Sequence, residues 1–312
     1  MPSTLVILPD TQNYPKAYPD ILTRQAEWIA ANAESLNIGA VLHVGDIVDN
    51  NEPGQWERAA RSLHVLDGVV PYVLAVGNHD VRISYTQERS LFNRDGSLIN
   101  NYFTVEDARR YSGLGGTFAP GRLENSYSVF SLGGTPYIVF ALEWGPRDEV
   151  LAWADVVLSA HPDHKAILIT DAFTAPDGGW VTPDRFLVSL PAPGDFVPEP
   201  STVNSAAEIW ERLIHRHSNV FLVLSGHMGF RGNPHNVRVA AHGGRVIELG
   251  TNYQNDPNGG NGWLLLLTFT PDDCLIVEAF SPYLGEYRYD FGTFYHSFRM
   301  DLKTGISYPL YP

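Results

Sequence analysis

The chain has 312 residues, 44% of them hydrophobic, and no stretch of it reads as an interdomain linker, so residues 1–312 are expected to form a single domain. Lys and Arg total 21 against 35 Asp and Glu; a net charge of −14 has the wrong sign for gripping nucleic acid by its phosphates, and no apolar run of about 18 residues is present to span a membrane. The single cysteine, Cys274, excludes an internal disulfide and fits a reducing compartment, and a first strand beginning at Thr4 leaves no room for a signal peptide. As it stands the chain reads as cytoplasmic, with export after removal of a leader as the alternative.

In chain order, "TLVIL" (4–8) predicts a strand, and a helix starting near Asp20 follows with Ile21, Leu22, Ala26, Ile29 and Ala30 at helical spacing. "AVLHV" (40–44) is the next strand, completing a βαβ unit. A second helix carries Trp56, Ala59, Ala60, Leu63 and Leu66 on one stripe and leads to the strand "PYVLAV" (71–76). Then come "SYSVFSL", "PYIVFAL", a helix from Arg147 to Ser159, "KAILIT", a helix from Asn204 to His215, and "VFLVLS". The last part reads as all strand: "VRVAAH", "RVIELG", "WLLLLTFT", "CLIVEAF" and "TFYHSFRM". Two facing mixed β-sheets flanked by helices, a four-layer α/β sandwich, follow from this order. The Pro-rich piece from Pro191 to Pro200 is expected to be a loop.

The apolar strands share a feature at their carboxyl ends, where α/β proteins place their chemistry. "LVILPD" delivers Asp10 and, two residues on, Gln12; "VLHVGD" delivers Asp46, with Asp49 behind it. "VLAVGNHD" gives Asn78, His79 and Asp80, "ILITD" gives Asp171, and "FLVLSGH" gives His227. Carboxylates gathered in one cleft repel each other unless cations neutralise them, and a donor set of carboxylate, amide and imidazole suits Mn, Fe and Zn.

In this order, "DTQ", "GDIVD", "GNHD", Asp171 and "GHMG" resemble the calcineurin-like metallophosphoesterases, and the "DTQNY" start is similar to the bacterial branch with Gln in the first motif. The resemblance covers roughly Thr4 to Leu249. It implies a phosphoester hydrolase, a phosphodiesterase or a promiscuous phosphoesterase, with two divalent cations (Mn, Fe or Zn) and a metal-bound hydroxide as nucleophile. Asp46 would bridge the cations, the first of which would also take Asp10 and Gln12, and the second Asn78, Asp171 and His227. His79 would serve the leaving group, Asp80 would orient the His79 ring, and Asp49 would accept hydrogen bonds from its loop. The implied partner is a small phosphoester substrate, with neither nucleic acid nor membrane.

Two positions depart from the family pattern. Where the family has a lone His after the fourth strand this chain has Asp171, which reads as a ligand or as an uncoordinated turn-former; and the last His of GH-x-H is Gly229, for which His235 and His242 are the nearest stand-ins in sequence. A catalytically weakened domain holding one metal and merely binding its ligand is the competing reading. His43 is expected to be a satisfied core histidine, and His161, His164, His215 and His217 to cap helix ends. Tyr14, Trp180 and Tyr253 are expected in loops leaving the same rim, either stacking on a leaving group or simply packing.

Overall fold

In the strand Ser3–Leu8 (β1), Leu5 and Ile7 pack to one side and Val6 and Leu8 to the other, as the two-residue repeat of a strand dictates. A strand apolar on both faces must be covered on both, and the structure, a computed structural model, describes how across residues 3–85, 90–182 and 203–311. The expected loop at Pro191–Pro200 lies outside the described residues.

The further strands are Ile38–His43 (β2), Tyr72–Leu74 (β3), Arg82–Tyr85 (β4), Ser90–Phe92 (β5), Leu114–Thr117 (β6), Ser126–Leu132 (β7), Thr135–Leu142 (β8) and Lys165–Thr170 (β9). After them come Val220–Ser225 (β10), His235–Val239 (β11), Arg245–Gly250 (β12), Leu264–Thr270 (β13), Cys274–Ser281 (β14), Glu286–Arg288 (β15), Phe298–Asp301 (β16) and Ser307–Pro309 (β17). One sheet runs β17-β16-β14-β13-β1-β2-β3 with β15 on β14, and the other runs β11-β12-β10-β9-β8-β7-β6. β1, β2 and β3 are mutually parallel, as are β8, β9, β10 and β12.

Leu5, Ile7 and Leu42 of the first sheet share one buried cluster with Ile167, Ile169 and Leu224 of the second, which is the seam between the sheets. The outer faces are covered by helices: Pro19–Asn32 and Pro53–Leu63 close one, burying Trp56 completely, and Asp148–Ala160 and Ala206–Arg212 close the other. The four-layer sandwich expected from the element order is the one observed. Each large aliphatic side chain buried in it contributes about 1.5–3 kcal/mol, so the layers hold the strand ends rigidly.

Several boundaries differ, each for a visible reason. The strand expected over 71–76 pairs regularly only over Tyr72–Leu74, because the chain beyond crosses toward the second sheet, where the Trp144 amide donates to the Val76 carbonyl at 3.0 Å. "VRVAAH" ends at Val239, since the Ala240 amide closes a turn onto the Gly244 carbonyl. "TFYHSFRM" is a strand only from Phe298, because the amides of Thr293 and Phe294 both donate to Arg231. The helix expected over 204–215 breaks after Arg212 into a single 3₁₀ turn at Ile214–Arg216; its start is a full capping box between Ser205 and Glu208.

Candidate metal centre

The turns that follow the strands carry unusual backbone. Gly45 (φ +123°), Asp46 (φ +51°) and His227 (φ +65°) all lie in the positive-φ region, which costs a non-glycine residue about 1–3 kcal/mol and persists where the surroundings enforce it. Two other glycines have a different use. A Cβ on Gly77 would fall on the Asp46 carboxylate and one on Gly226 on the Asp10 carboxylate, so these positions admit close approach of backbone to acid.

Asp10, Gln12, Asp46, Asn78, Asp171 and His227 are all buried, at 0–4% exposure, and hydrogen bonds join the two sheets through them. The His227 amide donates to Asp10 Oδ2 at 2.9 Å, the Asn78 amide to Asp171 Oδ2 at 3.4 Å, and Gln12 Nε2 to Asp46 Oδ2 at 3.3 Å. His227 Nδ1 lies 3.1 Å from Asn78 Oδ1 and 3.2 Å from Asp171 Oδ2. Donor atoms of Asp46, Asp171 and His227 all fall within 4.8 Å of one another.

Burial, reinforced by Asp46 and Asp171, pushes the Asp10 carboxyl well above its ordinary range. The same two causes, burial and then Asp171, raise Asp46 to about 6. Burial disfavours charge on His227 too, but the adjacent Asp171 more than offsets it and raises the imidazole. Carboxylates crowded to this degree fit a cation, and two buried oxygens without any hydrogen-bond partner, Gln12 Oε1 and Asp171 Oδ1, are donors ready for one.

His79 stands beside this group with its side chain 18% exposed. Its Nδ1 lies 2.8 Å from the Asp49 carbonyl and 3.4 Å from the Asp49 carboxylate, while its amide donates to Asp46 Oδ1. Burial works against protonation, but Asp46 and Asp49 outweigh it and raise the imidazole to about 9. The expectation that Asp80 orients this ring is corrected: Asp80 Oδ atoms accept from the amides of Ile47, Val48 and Gly77, and are consumed in tying the second-motif turn to the third. Asp49 fills the place at the ring, where it also pairs with Lys16 Nζ at 2.8 Å.

Neither His235 nor His242 stands in for the missing donor at Gly229. His235 stacks on Phe298 at 4.0 Å and bonds the Asn233 carbonyl, and His242 is exposed in the turn after β11. The groups at the site come instead from Asn252 and Gln254 in the loop after β12, "TNYQN", which lie outside the motifs at the other strand ends. Asn252 Nδ2 donates to Asp10 Oδ2 at 2.6 Å and Gln254 Oε1 accepts from Gln12 Nε2 at 2.5 Å.

The aromatic residues expected on the rim pack inward: Tyr14 and Tyr253 are buried, with hydroxyls bonded to Gly262 and Asn233, and the Trp180 ring lies under Arg238 at 4.0 Å. His43 is a core histidine. The Gly45 amide donates to its Nδ1, which puts the proton on Nε2 facing Thr11 at 2.9 Å, and burial lowers its pKa to about 3. His161 and His215 bond helix carbonyls, and His217 bonds Asp155.

A family model described as calcineurin-like phosphoesterase matches residues 3–230. The uncharacterized protein YvnB of Bacillus subtilis is 33% identical over 317 residues, covering 97% of this chain; the chain spans only 22% of that relative's length. Among solved structures, a dimetal phosphatase from Danio rerio is similar with a TM-score of 0.51 at 13% identity, over 90% of this chain and 96% of that one. A purple acid phosphatase from yellow lupin (Lupinus luteus) seeds gives 0.54 at 16% identity, over 96% and 54%. At these identities the likeness to the solved structures is one of fold. Among the described residues no helix is long and apolar enough to cross a membrane.

Proposed function

The chain belongs to the calcineurin-like phosphoesterase family, and from that premise we propose that it is a metal-dependent hydrolase of small phosphoesters, with phosphodiesters as the favoured class. The observation that carries the proposal is the convergence of Asp46, Asp171 and His227 within 4.8 Å, next to a histidine whose pKa is raised.

In this reading Asp10, Gln12 and Asp46 would hold one divalent cation, and Asp46, Asn78, Asp171 and His227 would hold a second. The cations, when bound, supply positive charge to the phosphoryl oxygens and generate the nucleophile at neutral pH. The protein's own part is to hold them with donors that fold into place from both sheets. His79 handles the leaving group: Nδ1–H donates to the Asp49 carbonyl, which leaves the Nε2 proton for the departing oxygen. The Asp49 carboxylate, 3.4 Å from the ring, favours the protonated imidazole, the form an acid must have before it donates. Diesters are favoured because no phosphomonoester-specific clamp stands out in the sequence.

The test is Mn²⁺-stimulated hydrolysis of an aryl phosphodiester and the matching monoester. The expected result is turnover of the diester that falls about 10²–10⁴-fold in His79→Ala, the usual weight of a positioned acid. The loss should shrink when the leaving phenol is made more acidic and needs less protonation. A loss independent of leaving-group acidity would assign His79 another role, and a monoester rate exceeding the diester rate would reverse the substrate preference.

A further inference from the structure

Gly229 leaves the proposed first cation with Asp10, Gln12 and Asp46 as its protein donors. A Cβ on Gly229 would stand 2.8 Å from Asn255 Nδ2, so the amide end of a residue of the 251–255 loop lies beside the position that lacks a donor. Two other amides of that loop are on the first-motif residues, Asn252 on Asp10 and Gln254 on Gln12.

The Gln12–Gln254 contact holds more information than a hydrogen bond. Gln12 Nε2 sits 3.3 Å from Asp46 Oδ2 and 2.5 Å from Gln254 Oε1, so a single amide group is flanked by two oxygen acceptors. Gln12 is 2% exposed and its Oε1 has no partner. Buried amide oxygens are rarely left so; with the Gln12 amide turned over, Oε1 would stand where Nε2 now does, facing Asp46 Oδ2 and Gln254 Oε1, and three oxygens gathered in that way call for a cation between them.

We infer that Gln254 is a metal ligand, supplying through its amide oxygen the donor that Gly229 lacks and completing a first-cation site of Asp10, Gln12, Asp46 and Gln254. The inference rests on the two-cation reading above. An amide oxygen is a neutral, hard donor, so the site suits Mn²⁺ over softer cations. Asn252 is a positioning residue: its donation to Oδ2 of Asp10 fixes how that carboxylate is presented.

The test uses the whole chain, stripped with chelator and titrated with Mn²⁺, with equilibrium dialysis and elemental analysis reading stoichiometry and affinity, and pulsed EPR reading the imidazole nitrogens coupled to Mn²⁺. Gln254→Met, which keeps the length and removes the oxygen, is expected to weaken one of the two Mn²⁺ by at least about tenfold, and Gln254→Glu to restore it. Gln254→His is expected to add a coupled imidazole nitrogen to the one from His227, and this arm stands by itself should Gln254→Met fail to fold. Two Mn²⁺ held by Gln254→Met at wild-type affinity, or no added nitrogen in Gln254→His, would overturn the inference while leaving the two-cation site intact. A wild-type chain that binds no Mn²⁺ would instead remove the site itself.

Discussion

The imidazole of His79 is governed by Asp49 more directly than by its sequence neighbour Asp80, and this makes a pH-dependent prediction. Burial opposes charge on both partners. Yet Asp46 and Asp49 raise His79 to about 9, and the bonds from His79 and Lys16 hold Asp49 down at about 2. For a histidine whose folded pKa is raised, the stabilisation is complete below the unfolded value near about 6.5 and is lost as pH rises through the folded value. In chelator-treated protein, unfolding by urea should therefore show stability falling from pH 7 to 9. Asp49→Asn should flatten that slope and lower the ring's NMR titration midpoint; an unchanged midpoint would mean that Asp49 does not set the charge of the ring. Sequence order displayed His79 and the buried acids, because each follows an apolar strand. It could not display which carboxylate turns toward the ring, since Asp49 and Asp80 are both close to it in motif terms. The choice is made by the three amides of Ile47, Val48 and Gly77 that capture Asp80.

Among the elements, the strand-end turns are where local sequence and site geometry meet. The Gly of "GD", "GN" and "GH" reads in sequence as a bend, and Gly45 with its φ of +123° is one. Gly77 and Gly226 need no special φ; their missing Cβ is what lets the backbone lie against Asp46 and Asp10. Gly226→Ala is thus expected to displace the Asp10 carboxylate and weaken Mn²⁺ binding by about 10–100-fold, the range seen when a ligand loses its support. Calorimetric titration checks this, and an affinity equal to wild type would show that the turn yields without moving the acid. The longer strands were legible from apolar runs of the right length; their ends were not, and neither were β4, β5, β6, β15 and β17, which at three or four residues are too short to show such a run. β3 stops at Leu74 because its chain crosses to the other sheet, and β11 stops at Val239 because of a turn. Both causes lie in long-range or turn contacts that apolar patterning does not encode.

Over the whole molecule, the site exists only because two sheets face each other. Asp10, Gln12, Asp46 and Asn78 follow strands of one sheet and Asp171 and His227 follow strands of the other, while the "TNYQN" loop reaches Gln12 across 242 positions of sequence. The facing of the sheets was legible, since the unbroken apolar runs of β1 and β9 must be covered on both faces. The contribution of Asn252 and Gln254 was not, because it depends on where β12 delivers its loop. In a chain already carrying a net charge of −14, holding these acids together ionised is costly without compensating cations, so activity is expected to follow metal occupancy. The most direct measurement is release of nitrophenolate from bis(4-nitrophenyl) phosphate by chelator-stripped protein as Mn²⁺ is added back. The account predicts no turnover without metal, a rate that rises and saturates with Mn²⁺, and none at any Mn²⁺ concentration in Asp46→Ala. A rate indifferent to chelation, or an Asp46→Ala protein as active as the wild type, would contradict it.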